Sequence, residues 1–198
     1  MRRTCVVVVA LLAVAVACGS ARTAAGPTIV TVTGRIGPLH LDRSKRADVV
    51  AFAGRPDAER RGRALGGYAS YEALGYDCHA RRSPTTAPLV GRGPYCRTVF
   101  YFNRTTGRLE TFFTSSGRYS EAHGVRIGMP TAAAERRLHK RLTEGCEQNI
   151  YLSSATARLT IAFRGGTSRP PSLQVTGGHV YAFALHSRRS DVGVFDCL

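Results

Sequence analysis

The chain has 198 residues, of which 43% are hydrophobic, so it can bury a core and is not disordered throughout. Its formal net charge is +15, which arginine supplies almost alone because the only lysines are Lys45 and Lys140. This charge favours anionic partners, although a composition rich in arginine, alanine and glycine can also reflect genomic base composition.

The N-terminus has the pattern of an export signal. Arg2 and Arg3 precede an unbroken apolar run, Cys5–Ala17, whose length is typical of a signal peptide and too short to span a bilayer. We therefore expect residues 1–17 to be a signal peptide and the mature protein to be exported. The sequence contains no second apolar run long enough for a membrane helix.

The end of this run, Ala15–Gly19, resembles a bacterial lipobox, in which Cys18 would become a lipidated N-terminus. Ala15 stands where that motif prefers leucine, and Ala15–Ala17 and Thr23–Ala25 are also ordinary cleavage sites. Lipidation, or cleavage at the second of these sites, leaves four cysteines, an even number for disulfides. We favour an anchored lipoprotein, and a freely secreted protein remains the alternative.

The rest of the chain divides into a tether and two similar halves. Residues 18–33 are assigned to the anchor and a tether, because Gly19–Pro27 is small and polar. Ile29–Thr33 is β-branched and either starts a strand or continues this linker. An extended piece followed by a helix then occurs at Leu39–Gly54 and again at Gly124–Leu142. We interpret these segments as an internal duplication, with repeat 1 at residues 34–122 and repeat 2 at residues 123–198.

Strands are predicted downstream of each helix. In the first half, Thr98–Phe102 and Arg108–Phe113 form a hairpin around the turn Asn103–Gly107. The second half is predicted to contain strands at Arg158–Phe163, His179–Leu185 and Val192–Leu198 and turns at Gly165–Pro171 and Gly177–Gly178. Neither helix could bury its apolar stripe alone, so we expect both to pack on one face of a joined sheet. The predicted fold class is α+β, built from two tandem repeats of a helix and an antiparallel sheet.

Four cysteines remain once the first two are set aside as signal and anchor: Cys78, Cys96, Cys146 and Cys197. They allow three disulfide connectivities. The duplication favours one disulfide in each half, Cys78–Cys96 and Cys146–Cys197. In an exported protein these bridges would stabilise the fold, and no C-x-x-C pattern indicates a reactive pair.

The sequence GVRIGMPTAAAE at Gly124–Glu135 has a degenerate copy, GPLHLDRSKRADV, at Gly37–Val49. This pattern resembles the repeat of two related families, the small outer-membrane lipoproteins of the SmpA/OmlA type and the secreted β-lactamase-inhibitor-protein-like domains. The resemblance implies short helices on an antiparallel sheet and, for the second family, two copies with a disulfide in each. The first copy departs from the motif at Asp42–Arg43. No binding residue of either family carries over.

One short pattern has the form of an enzyme signature. His123-Gly124 followed by Thr143–Cys146 resembles the Cys/His signature of L,D-transpeptidases, in which a histidine activates the thiol. Glu147 and Gln148 depart from that family, and a repeat entry and a disulfide explain the same residues. No spacing of histidines, cysteines or carboxylates indicates a metal site, and no cofactor motif is present. We therefore expect a non-enzymatic protein without cofactor or metal.

The candidate binding residues are basic and aromatic. Four cations are predicted on the polar side of the second helix: Arg136, Arg137, Lys140 and Arg141. They either form a solvated face or attract anionic lipid or wall polymer. The alternating aromatics of the hairpin place one set in the core and leave Tyr101 on the other face, where it could bind a protein. Nucleic acid fits the charge but not an exported protein.

Three functional hypotheses follow. The first is a non-enzymatic envelope lipoprotein whose basic α+β domain binds a protein or an anionic envelope polymer near the membrane. The alternative is a freely secreted, inhibitor-like module that binds a protein, and a more remote one is a Cys/His enzyme of the L,D-transpeptidase kind. The sequence indicates neither the ligand nor the oligomeric state.

Overall fold

The computed structural model describes residues 26–63, 70–80, 87–88, 94–144, 148–169 and 174–190. The predicted signal peptide at residues 1–17, the lipidation site Cys18 and the terminal strand Val192–Leu198 lie outside these residues. So do Cys146 and Cys197, and the disulfide between them stays a prediction.

Two helices and thirteen strands make up the described fold. The helices, each of eight residues, are α1 (Arg46–Ala53) and α2 (Thr131–Leu138). The strands in chain order are β1 (Thr28–Thr31), β2 (Arg35–Ile36), β3 (Leu39–His40), β4 (Ala58–Arg63), β5 (Ser70–His79), β6 (Ala87–Pro88), β7 (Tyr95–Asn103), β8 (Leu109–Thr114), β9 (Tyr119–Glu121), β10 (Thr143–Glu144), β11 (Gln148–Ser153), β12 (Ala157–Arg169) and β13 (Gln174–Ser187).

These strands form two sheets. The smaller sheet has the order β3-β2-β1-β9, in which β1 and β9 run parallel and the other pairs are antiparallel. The larger sheet has nine strands in the order β10-β11-β12-β13-β8-β7-β5-β4, with β6 paired to β7, and its described pairs are all antiparallel. Because β1 belongs to a sheet, residues 28–31 of the predicted tether are part of the folded domain.

The predicted α+β fold of two tandem helix-plus-sheet repeats is wrong. Among the described residues the fold is mainly β, since two short helices accompany thirteen strands in two sheets. The larger sheet also crosses the boundary predicted at residues 122 and 123, because β8 pairs with β13 and sets Phe112 opposite Leu185. Apolar patterns identify local elements but do not say which strands pair, and this pairing sets the architecture.

The turns predicted at Gly165–Pro171 and Gly177–Gly178 are wrong where the structure describes them, because β12 and β13 continue through these glycines. Gly166 lies opposite Gly177 in the antiparallel ladder. Glycine weakens a strand interior for entropic reasons, but the long antiparallel ladder continues on both sides of these residues. Gly165 and Gly178 have φ values of 79° and 80°, which glycine adopts readily, and they are absent from the paired register. The strands predicted before the first turn and after the second are confirmed.

The hairpin predicted around Asn103 is confirmed. β7 and β8 pair antiparallel, with Phe100 opposite Phe112. The Asn103 side-chain oxygen accepts hydrogen bonds from the backbone N–H of Thr105 at 2.8 Å and of Thr106 at 3.2 Å. Side chain-to-backbone bonds of this kind stabilise tight turns, so local chemistry is sufficient to specify this element.

The disulfide predicted between Cys78 and Cys96 is confirmed. The two residues are paired across β5 and β7. A bridge across a sequence separation of 18 contributes about 3 kcal/mol, mainly by restricting the unfolded chain. It fastens the end of β5 to the beginning of β7.

The main hydrophobic core includes residues from both sheets and both helices. Val49 of α1 and Leu138 of α2 belong to one buried cluster with Phe100, Phe112 and Tyr119. The ring centroids of Phe100 and Phe112 lie 5.0 Å apart, and those of Phe112 and Tyr119 lie 5.1 Å apart. Helices of two turns are marginal in isolation, so packing on this core stabilises both of them.

Tyr101 does not lie on an exposed face, so its predicted role in binding a protein is wrong. It is 4% exposed and belongs to a second buried cluster with Ala73, Val99 and Phe113. The aromatic residues of β7 do alternate, since Phe100 lies in the main core, but both faces of the strand are buried. Burial raises the pKa of the Tyr101 phenol above its usual range.

Alkaline pH should destabilise the fold through Tyr119. Burial raises the pKa of Tyr119 from 10.0 to about 12. The unfolded chain loses this proton near pH 10.0 while the folded protein keeps it, so the stability that this group contributes is complete below pH 10.0 and is lost as the pH rises to about 12. The loss is at most about 3 kcal/mol.

Denaturant unfolding of the wild type and of Tyr119→Phe, followed from about pH 9 to about pH 12, measures this contribution. The variant should lose less stability over this interval, because phenylalanine has no proton to release. An equal loss in both proteins would contradict the prediction.

Candidate functional site

Of the four cations predicted on the second helix, Arg136 and Arg137 lie on α2, whereas Lys140 and Arg141 follow its end at Leu138. Arg137 has a structural partner. Its guanidinium donates to the backbone oxygens of His123 at 3.3 Å and of Gly124 at 3.4 Å. Gly124 has a φ of 80°, and a Cβ at that position would collide with the same guanidinium. Arg137 therefore holds the segment before α2 against the helix, and it is a poor candidate for binding a partner.

Lys140 joins the end of α2 to the larger sheet. Its Nζ donates to the backbone oxygen of Tyr151 on β11 at 3.2 Å. Tyr151 is 39% exposed, and the Arg158 guanidinium on β12 lies 6.0 Å from its ring centroid. This is a cation–π distance, and it places an arginine and a tyrosine side by side at the surface.

Arg136 and Arg141 are exposed and have no hydrogen-bond or ion-pair partner for their side chains within the described part of the chain. Arg136 lies four residues before Lys140, and Arg141 directly follows it. We define the basic face as Arg136, Lys140, Arg141, Tyr151 and Arg158. Sequence reasoning missed the last two, because only the pairing of β11 with β12 and the Lys140 contact bring them together near this helix.

The acidic side chains of Glu135, Glu59 and Glu72 are engaged with protein partners. Glu135 of α2 accepts a hydrogen bond from the backbone N–H of Leu142 at 2.8 Å. Glu59 and Glu72 both pair with Arg46. The chain carries 28 lysines and arginines against 13 aspartates and glutamates, so cations without a carboxylate partner determine the surface potential.

Glu121 and His123 form a polar pair at the entry to α2. The Glu121 side chain is 1% exposed, and its Oε1 lies 2.7 Å from His123 Nδ1. Its other oxygen accepts the His123 backbone N–H at 2.7 Å, which closes the turn before α2. Cys146, the thiol that a transpeptidase-like site requires, lies outside the described residues. Among the residues that are described, no group of three or more His, Cys, Asp or Glu side chains could hold a metal ion.

A cavity of about 740 Å³ lies between the end of α1, the paired ends of β5 and β7, and the segment that leads into β9. Its wall includes Tyr76, Arg97, Arg118 and Tyr119. Sequence reasoning missed all four, because Ser115–Glu121 has the composition of a polar connection. Tyr119 is nevertheless 7% exposed, since β9 pairs with β1. An aromatic residue in an otherwise polar segment is the only signal that could have indicated it.

Within the described ranges, no helix has the length and apolar character needed to cross a membrane. No protein-family model matches the chain, and no curated protein matches it. Among solved structures, the chain is similar to the uncharacterized protein yfeY from Escherichia coli, with 15% sequence identity and a TM-score of 0.46. That match covers 81% of this chain and 100% of the other.

Replacing Arg137 by alanine should destabilise the protein, because two backbone oxygens lose a charged donor. We expect the free energy of unfolding to fall by about 1 kcal/mol, measured by denaturant titration. Arg136→Ala is the matched control on the same helix and should change that free energy by less than about 0.5 kcal/mol. Equal effects of the two substitutions would refute a structural role for Arg137.

Proposed function

We propose that this chain is a non-enzymatic exported lipoprotein, held to a bacterial cell membrane through Cys18, that binds an anionic envelope polymer. The observation that carries the proposal is the basic face, where Arg136 and Arg141 are exposed and free of partners among the described residues. Lys140 and Arg158 extend this positive surface onto the sheet.

The basic face suits a polyanion because its cations need not leave internal ion pairs in order to bind. Exposed guanidinium groups that meet a polyanion release its condensed counterions, so the affinity rises with the number of contacts and falls with salt. Arg136 also lies in the last turn of α2, where the helix dipole favours a positive charge. The arrangement therefore favours several weak contacts along a repeating anionic chain.

The proposed anchor would keep this surface close to its ligand. Residues 19–25 separate Cys18 from Gly26, where the described fold begins. Seven residues span at most about 25 Å when fully extended. A domain on such a tether meets headgroups and polymers of the envelope at a high effective concentration, so weak contacts are sufficient.

Replacing Arg136 and Arg141 by glutamine should weaken binding of the protein to dextran sulfate, used as a soluble polyanion. We expect about a tenfold loss of affinity at low salt and a smaller dependence of the affinity on salt, because two counterion-releasing contacts are removed. Titration calorimetry at several salt concentrations measures both quantities, with neutral dextran as the blank.

Arg43→Gln/Arg55→Gln is the matched control, since both residues are exposed arginines outside the basic face. This variant has the same net charge as the test variant. If the two variants lose affinity equally, binding depends on total charge, and the basic face is not the site.

Replacing Cys18 by serine should abolish labelling with a metabolic fatty acid. We expect the wild-type protein to be labelled and to sediment with membranes, and the variant to be unlabelled, because only a cysteine thiol can carry the thioether-linked lipid. A wild-type protein that is unlabelled and soluble would exclude the anchor. That result would not test the proposed binding of polyanions by the basic face.

A second candidate function is a freely secreted module that binds a protein. It is favoured by the exposed Tyr151 ring beside Arg158, because tyrosine and arginine are enriched among the residues that dominate protein interfaces. A mature N-terminus at Gly26 would support this alternative. Tyr151→Ala should then abolish capture of a protein partner while leaving the affinity for dextran sulfate nearly unchanged.

A further inference from the structure

We infer that the cavity beside Arg118 and Tyr119 binds an anionic saccharide, a sugar unit that carries a carboxylate or phosphate group. The cavity shares no residue with the basic face, so this inference goes beyond the proposed function. Its lining residues come from α1, β1, β5, β7 and the segments that adjoin them: Thr28, Phe52, Ala53, Asp57, Tyr76, Asp77, Arg97, Thr98, Ser116, Arg118 and Tyr119.

The size of the cavity suits one or two sugar rings. A volume of about 740 Å³ lies within the range of small-molecule sites, which is roughly 300–1,000 Å³. The disulfide between Cys78 and Cys96 fastens β5 to β7 next to the wall residues Asp77 and Arg97. The wall is therefore held in place before a ligand arrives, which reduces the entropy lost on binding.

Tyr119 supplies a hydrogen-bond donor that the protein does not use. The residue is 7% exposed, it lines the cavity, and its phenol has no hydrogen-bond partner among the described residues. Burial raises the pKa of Tyr119 to about 12, so the phenol keeps its proton at neutral pH. The hydroxyl is therefore available to donate a hydrogen bond to a ligand oxygen in the cavity.

Tyr76 also lines the cavity, but its phenol, unlike that of Tyr119, already has a hydrogen-bond partner in the protein. Its hydroxyl donates to the backbone oxygen of Gly54 at 3.1 Å. Its ring packs edge-on against Phe100, with centroids 5.8 Å apart, so the ring is held in a defined orientation. A fixed aromatic ring in a polar cavity can pack against the C–H face of a sugar while other groups bind its hydroxyls.

The charges of the cavity favour an anion at Arg118. The Asp77 carboxylate is shared between Arg97 at 3.5 Å and His79 at 3.4 Å, and an Asp57 oxygen accepts the Asp77 backbone N–H at 2.5 Å. Asp77 therefore has basic side-chain partners and Asp57 has a backbone N–H, whereas the Arg118 guanidinium has no partner in the described residues. An anionic group would pair with Arg118 without displacing an internal contact.

Other ligand classes fit the cavity less well. A purely apolar molecule would leave the Tyr119 phenol and the Arg118 guanidinium desolvated and unpaired, which is costly. A bare inorganic anion would occupy a small part of the volume and would make no use of the aromatic wall. A sugar with one charged substituent matches the hydroxyl partners, the aromatic ring and the single available cation together.

Titration calorimetry of the full chain tests the inference with three probes. These are a disaccharide that contains glucuronate, glucose 1-phosphate, and the neutral disaccharide cellobiose. We expect saturable binding of at least one anionic sugar, and about tenfold weaker binding of cellobiose. The comparison of the two anionic probes decides between carboxylate and phosphate. Failure of both anionic probes to bind, or equal binding of cellobiose, would overturn the inference.

Two variants locate the site. Arg118→Gln should lower the affinity for the anionic sugar about tenfold and leave that for cellobiose unchanged, since it removes only the charge. Tyr119→Phe should lower the affinities for the anionic sugar and for cellobiose several-fold, because it removes the hydroxyl donor and keeps the packed ring. Arg136→Gln/Arg141→Gln should leave sugar binding unchanged, which separates this site from the basic face. Unchanged sugar affinity in a folded Arg118→Gln protein, verified by circular dichroism, would refute the assignment.

Discussion

The pairing of β8 with β13 is the contact on which the rest of the architecture depends. It joins the strands that follow α1 to the strands that follow α2, so that the larger sheet becomes continuous. Phe112 and Leu185 lie opposite each other at this joint, and both are fully buried with the neighbouring Phe183. Each such side chain contributes about 1.5–3 kcal/mol by leaving water, so the joint stabilises both halves at once.

The same sheet determines how α2 is held against the fold and which of its side chains are exposed. The backbone N–H of Gly128 donates to Val180 on β13 at 2.8 Å, and the Val180 N–H donates to Met129 at 2.9 Å. These bonds fasten the beginning of the helix, while Arg137 and Lys140 fasten its flank and its end. Arg136 and Arg141 take no part in these contacts, and together with Lys140, Tyr151 and Arg158 they form the basic face.

Charge is distributed in this protein by topology as well as by composition. Carboxylates are placed where they accept hydrogen bonds from the fold, as Glu121 does at the entry to α2 and Glu135 does after it. Arg136 and Arg141 are exposed without a carboxylate partner within the described part of the chain, and Arg118 lines a cavity without one among those same residues.

The sequence by itself determined the elements whose causes are local. The hairpin around Asn103 follows from strand propensity and a turn-forming side chain, and the beginning of α2 follows from the break at Pro130. The disulfide between Cys78 and Cys96 could be predicted from the sequence because each predicted half contains one pair of cysteines. Arg136 and Arg137 were also placed on α2, whereas Lys140 and Arg141, predicted on the same helix, follow its end at Leu138.

Only the tertiary structure decided the fold class, the burial of Tyr101 and the candidate sites. Strands β12 and β13 pair through glycines whose sequence pattern predicts turns. Both faces of β7 are covered, so Tyr101 is buried. Strand pairing also brings Arg158 to Tyr151 and places Tyr119 at the wall of a cavity. The physical reason is that side-chain periodicity depends on a few neighbouring residues, whereas strand order and register depend on contacts between segments far apart in the chain.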